Sequence, residues 1–390
     1  MKILYVATVL SHICQFHLPH LKALKEQGHE VHVAAHDNLA VKNGLQLRYA
    51  DRHIEIPFER TPFRIQNIRA YRMLKALIDS ENYDLIVCNT PVGGILTRLA
   101  ARRARKHGAK VVYIVHGFHF YKGAPIRNWI LYYPLEKHMA RLCDVVVTVN
   151  EEDYRFAKDR FPGRVEHICG IGVDSERFHP ATEEEQRAMR LREGLADEDF
   201  TVLCTGELNE NKNQKTLVSA TALLKDKIPN LKVLLVGNGP KEAELKAQIR
   251  DLGLENTVRM LGYRTDLERI VPAVDAVASC SRREGLPLNI VEAMLCEKPV
   301  VTSDNRGHRE LVENGVNGFI FLPEDSEGLA ENLLQIGQKH DLARTMGLEG
   351  SQKARQYTVN EVKKQLRVIV FQLMQERGEK HEASNHIRHL

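Results

Sequence analysis

Short apolar runs rich in valine, isoleucine and leucine recur along this chain. Each closes in a turn, and most lead into a segment of helical character. In the first half the runs are Lys2–Thr8, Glu30–Ala35, His53–Ile56, Asp84–Cys88, Lys110–Val115 and Asp144–Thr148. In the second they are Thr201–Thr205, Leu231–Val236, Val258–Leu261, Val274–Cys280 and Pro299–Thr302. A strand apolar on both faces belongs in a parallel sheet covered by helices on each side. Helices are expected at Phe16–Gln27, Ile65–Asp79 and Gly94–Lys106. That alternation predicts an α/β fold with right-handed crossovers. A length of 390 residues favours two domains over one.

The charge is unevenly spread. Residues 1–175 hold 25 basic and 17 acidic side chains, and the remainder hold 30 and 34. A basic first half suits an anionic partner, either nucleic acid or a membrane surface, or is simply a solvated surface. Arg60, Arg64, Arg69 and Arg72, with Phe58 and Phe63 among them, form a segment able to touch anionic headgroups or to cover a core. No apolar run is long enough to span a bilayer. MKILYVATVL lacks a small-residue cleavage site and reads as a first strand. The seven scattered cysteines include no C-x-x-C pair and read as reduced core residues. The expected compartment is cytoplasmic.

The most informative stretch is Ser281–Pro299, SRREGLPLNIVEAMLCEKP. A polar turn containing Glu284 and Gly285 feeds a helical run, Leu288 to Cys296. Pro287 suits its first turn and Pro299 stops it. The run is apolar on nearly every face, so it reads as a buried helix with Glu292 as its only acid. A buried carboxylate needs donors. The helix N-terminus offers free N–H groups and partial positive charge, which favour a phosphate. An ordinary α/β crossover with one acid fits the same spacing.

Other loops at strand ends carry polar groups. His116-Gly117-Phe118-His119-Phe120-Tyr121 offers imidazoles and rings to a sugar, or rings that pack on the core. A metal held by His116 and His119 lacks a third ligand at suitable spacing. Gly206 after a strand, with Lys212 at a helix start, can cradle a diphosphate, although a solvated lysine is commoner. Gly237-Asn238-Gly239 is a weak nucleotide signal alone. Asp197-Glu198-Asp199 precedes a strand instead of following one, so nothing designates a divalent metal.

The pattern S-x-x-EG-x-P-x-x-x-x-EAM followed by PVV resembles the donor-site signature of family 4 retaining glycosyltransferases. The resemblance covers about residues 1–375. With HGFHFYKGAP and Asn89–Gly94, it is closest in character to the subset serving bacterial capsule and exopolysaccharide assembly. It implies the GT-B fold, two Rossmann-like domains facing across a cleft. The expected division is an acceptor-binding domain at 1–175, a charged linker at 176–198 and a nucleotide-sugar domain at 199–355. A helix at 356–376 would brace the first domain, and 377–390 would be a polar, mobile tail.

The resemblance also implies roles. Glu284 and His116 face the donor sugar, Glu292 binds the ribose hydroxyls, and Gly206 and Lys212 hold the diphosphate with the N–H groups of Gly285, Leu286, Pro287 and Leu288 as far as each has one. Gly237 lies in a glycine turn, and backbone groups at Tyr263 and Arg264 hold the base. Glu207 reverses the charge of the family's usual basic residue; either Arg282 or Arg283 supplies the missing charge, or donor affinity is weaker here. The first loop, Ser11–Gln15, lacks the glycines the family often has there.

The implied reaction is metal- and cofactor-independent transfer from a UDP-sugar to a polyprenyl-linked or saccharide acceptor at the inner membrane face, with no nucleic acid involved. A UDP-sugar 2-epimerase and a non-catalytic subunit of a transferase pair are the alternatives.

Overall fold

The computed structural model describes residues 1–41, 44–61 and 64–388, with side chains to Glu376 outside the gaps and apart from Val41. The chain forms two compact units, residues 1–171 with 362–390, and residues 172–361. Unit one holds β1 (Lys2–Val9), β2 (Glu30–His36), β3 (Arg52–Glu55), β4 (Leu85–Asn89), β5 (Lys110–Val115), β6 (Val145–Thr148) and β7 (Arg164–His167). Unit two holds β8 (Phe200–Thr205), β9 (Leu231–Val236), β10 (Val258–Gly262), β11 (Ala276–Ser279), β12 (Val300–Ser303) and β13 (Gly318–Phe321).

The sheet orders are β3-β2-β1-β4-β5-β6-β7 and β10-β9-β8-β11-β12-β13. Neighbouring strands pair in parallel. Both sheets are doubly wound: strand order reverses between β1 and β4 in unit one and between β8 and β11 in unit two. Loops leaving the carboxyl ends of such strands form a ligand crevice. Strands β4 and β5 are buried along their whole length and β1 and β9 along most of it, as their largely apolar sequences require.

In unit one the first crossover differs from expectation. Helix Leu10–Phe16 starts directly from β1, and a second helix, Leu18–Glu26, follows. Pro19 in the first turn of the second helix has no N–H to continue the first, so the chain bends at His17. The Ser11–Gln15 loop is therefore helical. Likewise Gly94–Lys106 divides into Pro91–Ala100 and Arg102–Lys106. Gly94 is required because a Cβ there would lie 2.3 Å from the Tyr113 ring. That ring is stacked by Arg98, which pairs with Glu136 at 2.9 Å inside the core.

Phe58 is buried, so it belongs to the core and not to a surface segment; Phe63 lies outside the described residues. Phe118 and Phe120 stack on each other within a cluster with Trp129, Tyr133, Phe156 and Phe161. These two rings pack on the core and are not available to a sugar. Helix Ile126–Met139, not foreseen, contains Pro134.

The expected linker at 176–198 contains helix Glu183–Arg192, started by a Thr182–Glu185 capping box, and folds as part of unit two. The last helix runs Val359–Arg388, past the expected end at 376. Within unit one it takes the Cys169 N–H on Gln365 and pairs Glu376 with Arg164. Among the described residues no helix is long and apolar enough to cross a membrane.

Candidate functional site

In unit two the turns after β8 and β9 are pressed together. Gly206 and Gly237 have φ of 145° and 140°, and a Cβ on Gly237 would lie 1.9 Å from the Gly206 carbonyl oxygen. Only glycine permits that approach. It leaves room over Gly206 for the Lys212 side chain, whose Cε would be 3.2 Å from a Cβ placed there. Asn209 fixes the loop by accepting the Lys212 N–H at 2.9 Å.

Lys212 Nζ reaches Glu284 Oε1 at 2.7 Å. This pair joins the loops leaving β8 and β11, the two strands that flank the reversal of strand order. The loops are also stitched through their backbones: the Arg282 N–H donates to the Asn211 carbonyl, and Asn211 Nδ2 donates to the Arg283 carbonyl. Burial opposes the charge on Lys212, but Glu284 outweighs it and the ammonium ends above its ordinary pKa. Burial likewise opposes ionisation of Glu284; Lys212, with a Ser281 hydrogen bond, outweighs it and holds the carboxyl below its ordinary range. Both groups are therefore charged at neutral pH.

Helix Leu288–Leu295 follows that loop. Pro287 sits just outside it as the capping residue, not in its first turn, and accepts from Ile290 and Val291. No side chain caps the end. Among the described residues the N–H groups of Gly285, Leu286, Leu288 and Asn289 have no protein partner. Four donors at a helix N-terminus, with the Lys212 ammonium held to the preceding loop by Glu284, are what a diphosphate requires. Pro287 contributes no N–H. The far end closes with Glu297 at φ 57° and the Lys298 N–H on the Ala293 carbonyl.

Glu292 lies on the same helix, partly exposed, with no hydrogen-bond or ion-pair partner among the described residues. Its surroundings push its pKa up to about 7, mainly by desolvation; Arg177 opposes this and Glu268 adds to it. An unpaired carboxyl of this kind is a site for hydroxyl donors from a ligand.

Residues that sequence reasoning left without a role build the floor of this site. His308 is fully buried; Nδ1–H donates to the Ser303 carbonyl at 2.6 Å, and Nε2 accepts from Ser279 Oγ at 3.1 Å. Burial lowers its pKa to about 4, so the ring is neutral. Asn305 Nδ2 and Ser303 Oγ donate to the Ser281 carbonyl. Arg306 Nε donates to the Glu284 carbonyl at 3.2 Å, and Gly307 lies so close that a Cβ would be 2.9 Å from Glu284 Cβ. Asn305 before a helix start and Gly307 inside the first turn were the signals for this support.

The other expected residues fall as follows. Glu207 is exposed and accepts from Asn209. Arg282 is held by Glu210 and Glu324, whereas Arg283 has no ion-pair partner among the described residues. Tyr263 is exposed at the end of β10, where the Gly262 carbonyl accepts the Gly237 N–H. The Arg264 guanidinium is taken up by Glu193 and Asp266.

In unit one His116 follows β5. Its Nε2 is 3.2 Å from Asn89 Oδ1 at the end of β4 and 3.3 Å from His12 Nε2. Burial lowers the His116 pKa to about 4. Thr90, just after β4, has φ 65° and ψ 152°, a strained backbone for a β-branched residue, and is held by Thr8 through both backbone and hydroxyl. His119 packs on Tyr132. The rings that face His116 are those of His12 and His17.

Two doubly wound parallel sheets, one carrying a lysine–glutamate pair and a bare helix N-terminus at its switch point, define a GT-B glycosyltransferase. Glycosyltransferase Family 4 matches residues 20–177, and Glycosyl transferases group 1 matches residues 185–353. The chain belongs to the family 4 glycosyltransferases. It is 45% identical over 359 residues to EpsD of Bacillus subtilis, named as a putative glycosyltransferase, covering 92% of this chain and 93% of that one. It is 29% identical over 279 residues to the UDP-Gal:alpha-D-GlcNAc-diphosphoundecaprenol alpha-1,3-galactosyltransferase of Escherichia coli, 70% and 71% of the two chains. Anabaena HepE, solved with UDP and glucose, superposes with a TM-score of 0.79 at 25% identity, over 95% of this chain and all of that one.

Proposed function

We propose that this glycosyltransferase takes its sugar from a UDP-sugar, a hexose or N-acetylhexosamine, and transfers it with retention to a lipid-linked or saccharide acceptor in surface polysaccharide assembly. The observation that carries the reading is the Lys212–Glu284 pair, which ties the β8 loop to the loop feeding an uncapped helix N-terminus, with unpartnered Glu292 on that helix. HepE holding UDP, and the E. coli relative named for a UDP-Gal donor and a diphosphoundecaprenol-linked acceptor, support it.

Lys212 and the N–H groups of Gly285, Leu286, Leu288 and Asn289 bind the diphosphate and stabilise its charge as the bond to the sugar breaks. Glu292 accepts from the ribose hydroxyls. Gly237 and the backbone at Tyr263 and Arg264 line the base. Glu284 positions the sugar. The fixed cations and backbone dipoles meet the leaving charge without a divalent ion or cofactor at the diphosphate.

The acceptor brings the enzyme to an anionic membrane surface as a peripheral protein of the inner face. Unit one exposes Ile126, Ile130, Leu131 and Leu135 along one helix that also bears Arg127 and Lys137. A basic helix with an exposed apolar face is the composition that lies on such a surface. Incubation of the full chain with labelled UDP-sugars, with and without polyprenyl-diphosphate saccharides, tests the reading. Product on the lipid fraction with the donor's anomeric configuration is expected. Conversion of a UDP-sugar to its epimer without acceptor, or no turnover of any UDP-sugar, overturns it.

A further inference from the structure

We propose that His12, His17 and His116 form a binding site for a divalent transition-metal ion of the zinc class. The residues come from three places: helix Leu10–Phe16, the bend after it, and the end of β5. The first loop and the HG loop are over a hundred residues apart in the chain, so no spacing motif joins them. One ring nitrogen from each histidine lies within 4.8 Å of the others.

His12 Nε2 and His116 Nε2 stand 3.3 Å apart. Two nitrogens bound at about 2.0–2.1 Å to one tetrahedral ion are separated by about 3.3 Å. Asn89 Oδ1, 3.2 Å from His116 Nε2, is a fourth donor at nearly the same spacing. Three imidazoles with an oxygen or an open position form a donor set that suits zinc, cobalt or nickel and not magnesium.

The independent observation is His17. It is 1% exposed, and neither ring nitrogen has a hydrogen-bond partner. An imidazole buried without any partner costs free energy that a metal bond offsets. Its ring faces both others, with centroids 5.3 Å from His12 and 5.4 Å from His116. His12 and His116 are only partly buried, which leaves an entry path for the ion. The site is confined to unit one and takes no part in holding the diphosphate; an ion there would take His116 from the sugar-facing role that the resemblance implies, whereas the roles of Lys212 and Glu292 stand or fall separately.

The test is titration of Co²⁺, followed by Zn²⁺ competition, into the EDTA-treated and desalted full chain, read by the visible d–d absorption of cobalt. His17→Asn and His12→Asn are compared with wild type, and circular dichroism checks their folding. His381, His386 and His389 supply a background common to all three proteins. One equivalent with the strong absorption of low-coordinate cobalt is expected, displaced by zinc and weakened by more than about 100-fold in either variant, beyond the loss of an outer-shell partner. No equivalent above background, or one that both variants retain, overturns the site. If His17→Asn does not fold, His12→Asn, at a partly exposed position, decides.

Discussion

Lys212 Nζ lies 2.7 Å from Glu284 Oε1, so the cation assigned to the leaving diphosphate and the carboxylate assigned to the sugar are paired before any donor arrives. The pair keeps two largely buried charges in place, each satisfying the other. A bound diphosphate gives Lys212 a second anionic partner. Lys212→Ala should lower kcat about 100- to 1,000-fold, the loss that follows removal of one preorganised stabilising group. Glu284→Gln should lower Tm by leaving the ammonium unpaired, and UDP should restore more Tm than it adds to wild type. Differential scanning fluorimetry of both variants, with and without UDP, checks this.

Arg282 and Arg283 are the two candidates to make good the charge reversal at Glu207. Arg282 is held by Glu210 and Glu324, while Arg283 is unpaired among the described residues. Arg283→Ala should weaken UDP about 10- to 100-fold, the range for a hydrogen bond to a charged group. Arg282→Ala removes surface ion pairs of small value and should leave UDP affinity within about threefold of wild type. Calorimetric titration separates the two.

Glu292 titrates near 7 because burial disfavours its charge. With a folded pKa above the unfolded one, the native state binds the extra proton between about 4.5 and 7. Its contribution to stability is therefore greatest below that window and is lost as pH rises through it. Glu292→Gln should raise the Tm of the ligand-free protein at pH 8, with the gain shrinking toward pH 5. Ribose hydroxyls favour the carboxylate, so UDP binding near pH 7 should release a proton. Calorimetry in buffers of different ionisation enthalpy measures that release.

His308 and His20 are buried and neutral, each with its pKa lowered to about 4. The unfolded chain binds protons at these positions below its ordinary histidine value and the native chain does not. Stability is fully present above about 6.5 and is lost as pH falls toward 4. Tm should decline through that window in wild type. His308→Asn should lower Tm at neutral pH and flatten the decline, as a pH series of melts would show.

Much of this was legible in the chain. Uninterrupted apolar strands announced parallel sheets; Glu284 and Lys212 at strand ends and Glu292 on a buried helix were candidates by position, and their roles came from the family resemblance. What escaped notice lacked a local signature. The Ser11–Gln15 loop became a helix because the bend enforced by Pro19 comes two residues later than a loop reading assumes. Helix Ile126–Met139 was hidden by Pro134, which is tolerated where the side of the helix bearing Ile130 is exposed to solvent. Phe118 and Phe120 carry the residue type of a sugar platform, yet they face the core. The histidine cluster and the His308 floor depend on contacts between distant segments, which spacing along the chain cannot express.

Calorimetric titration of UDP into the full chain in EDTA, with GDP and ADP as controls and with Lys212→Ala and Glu292→Gln alongside, decides whether unit two is a UDP-sugar donor site. The expected result is one UDP per chain, bound without a divalent ion, in preference to GDP and ADP, and weakened in both variants. Binding of another nucleotide in place of UDP, or UDP affinity untouched by either substitution, would contradict the site built on Lys212, Glu284 and Glu292.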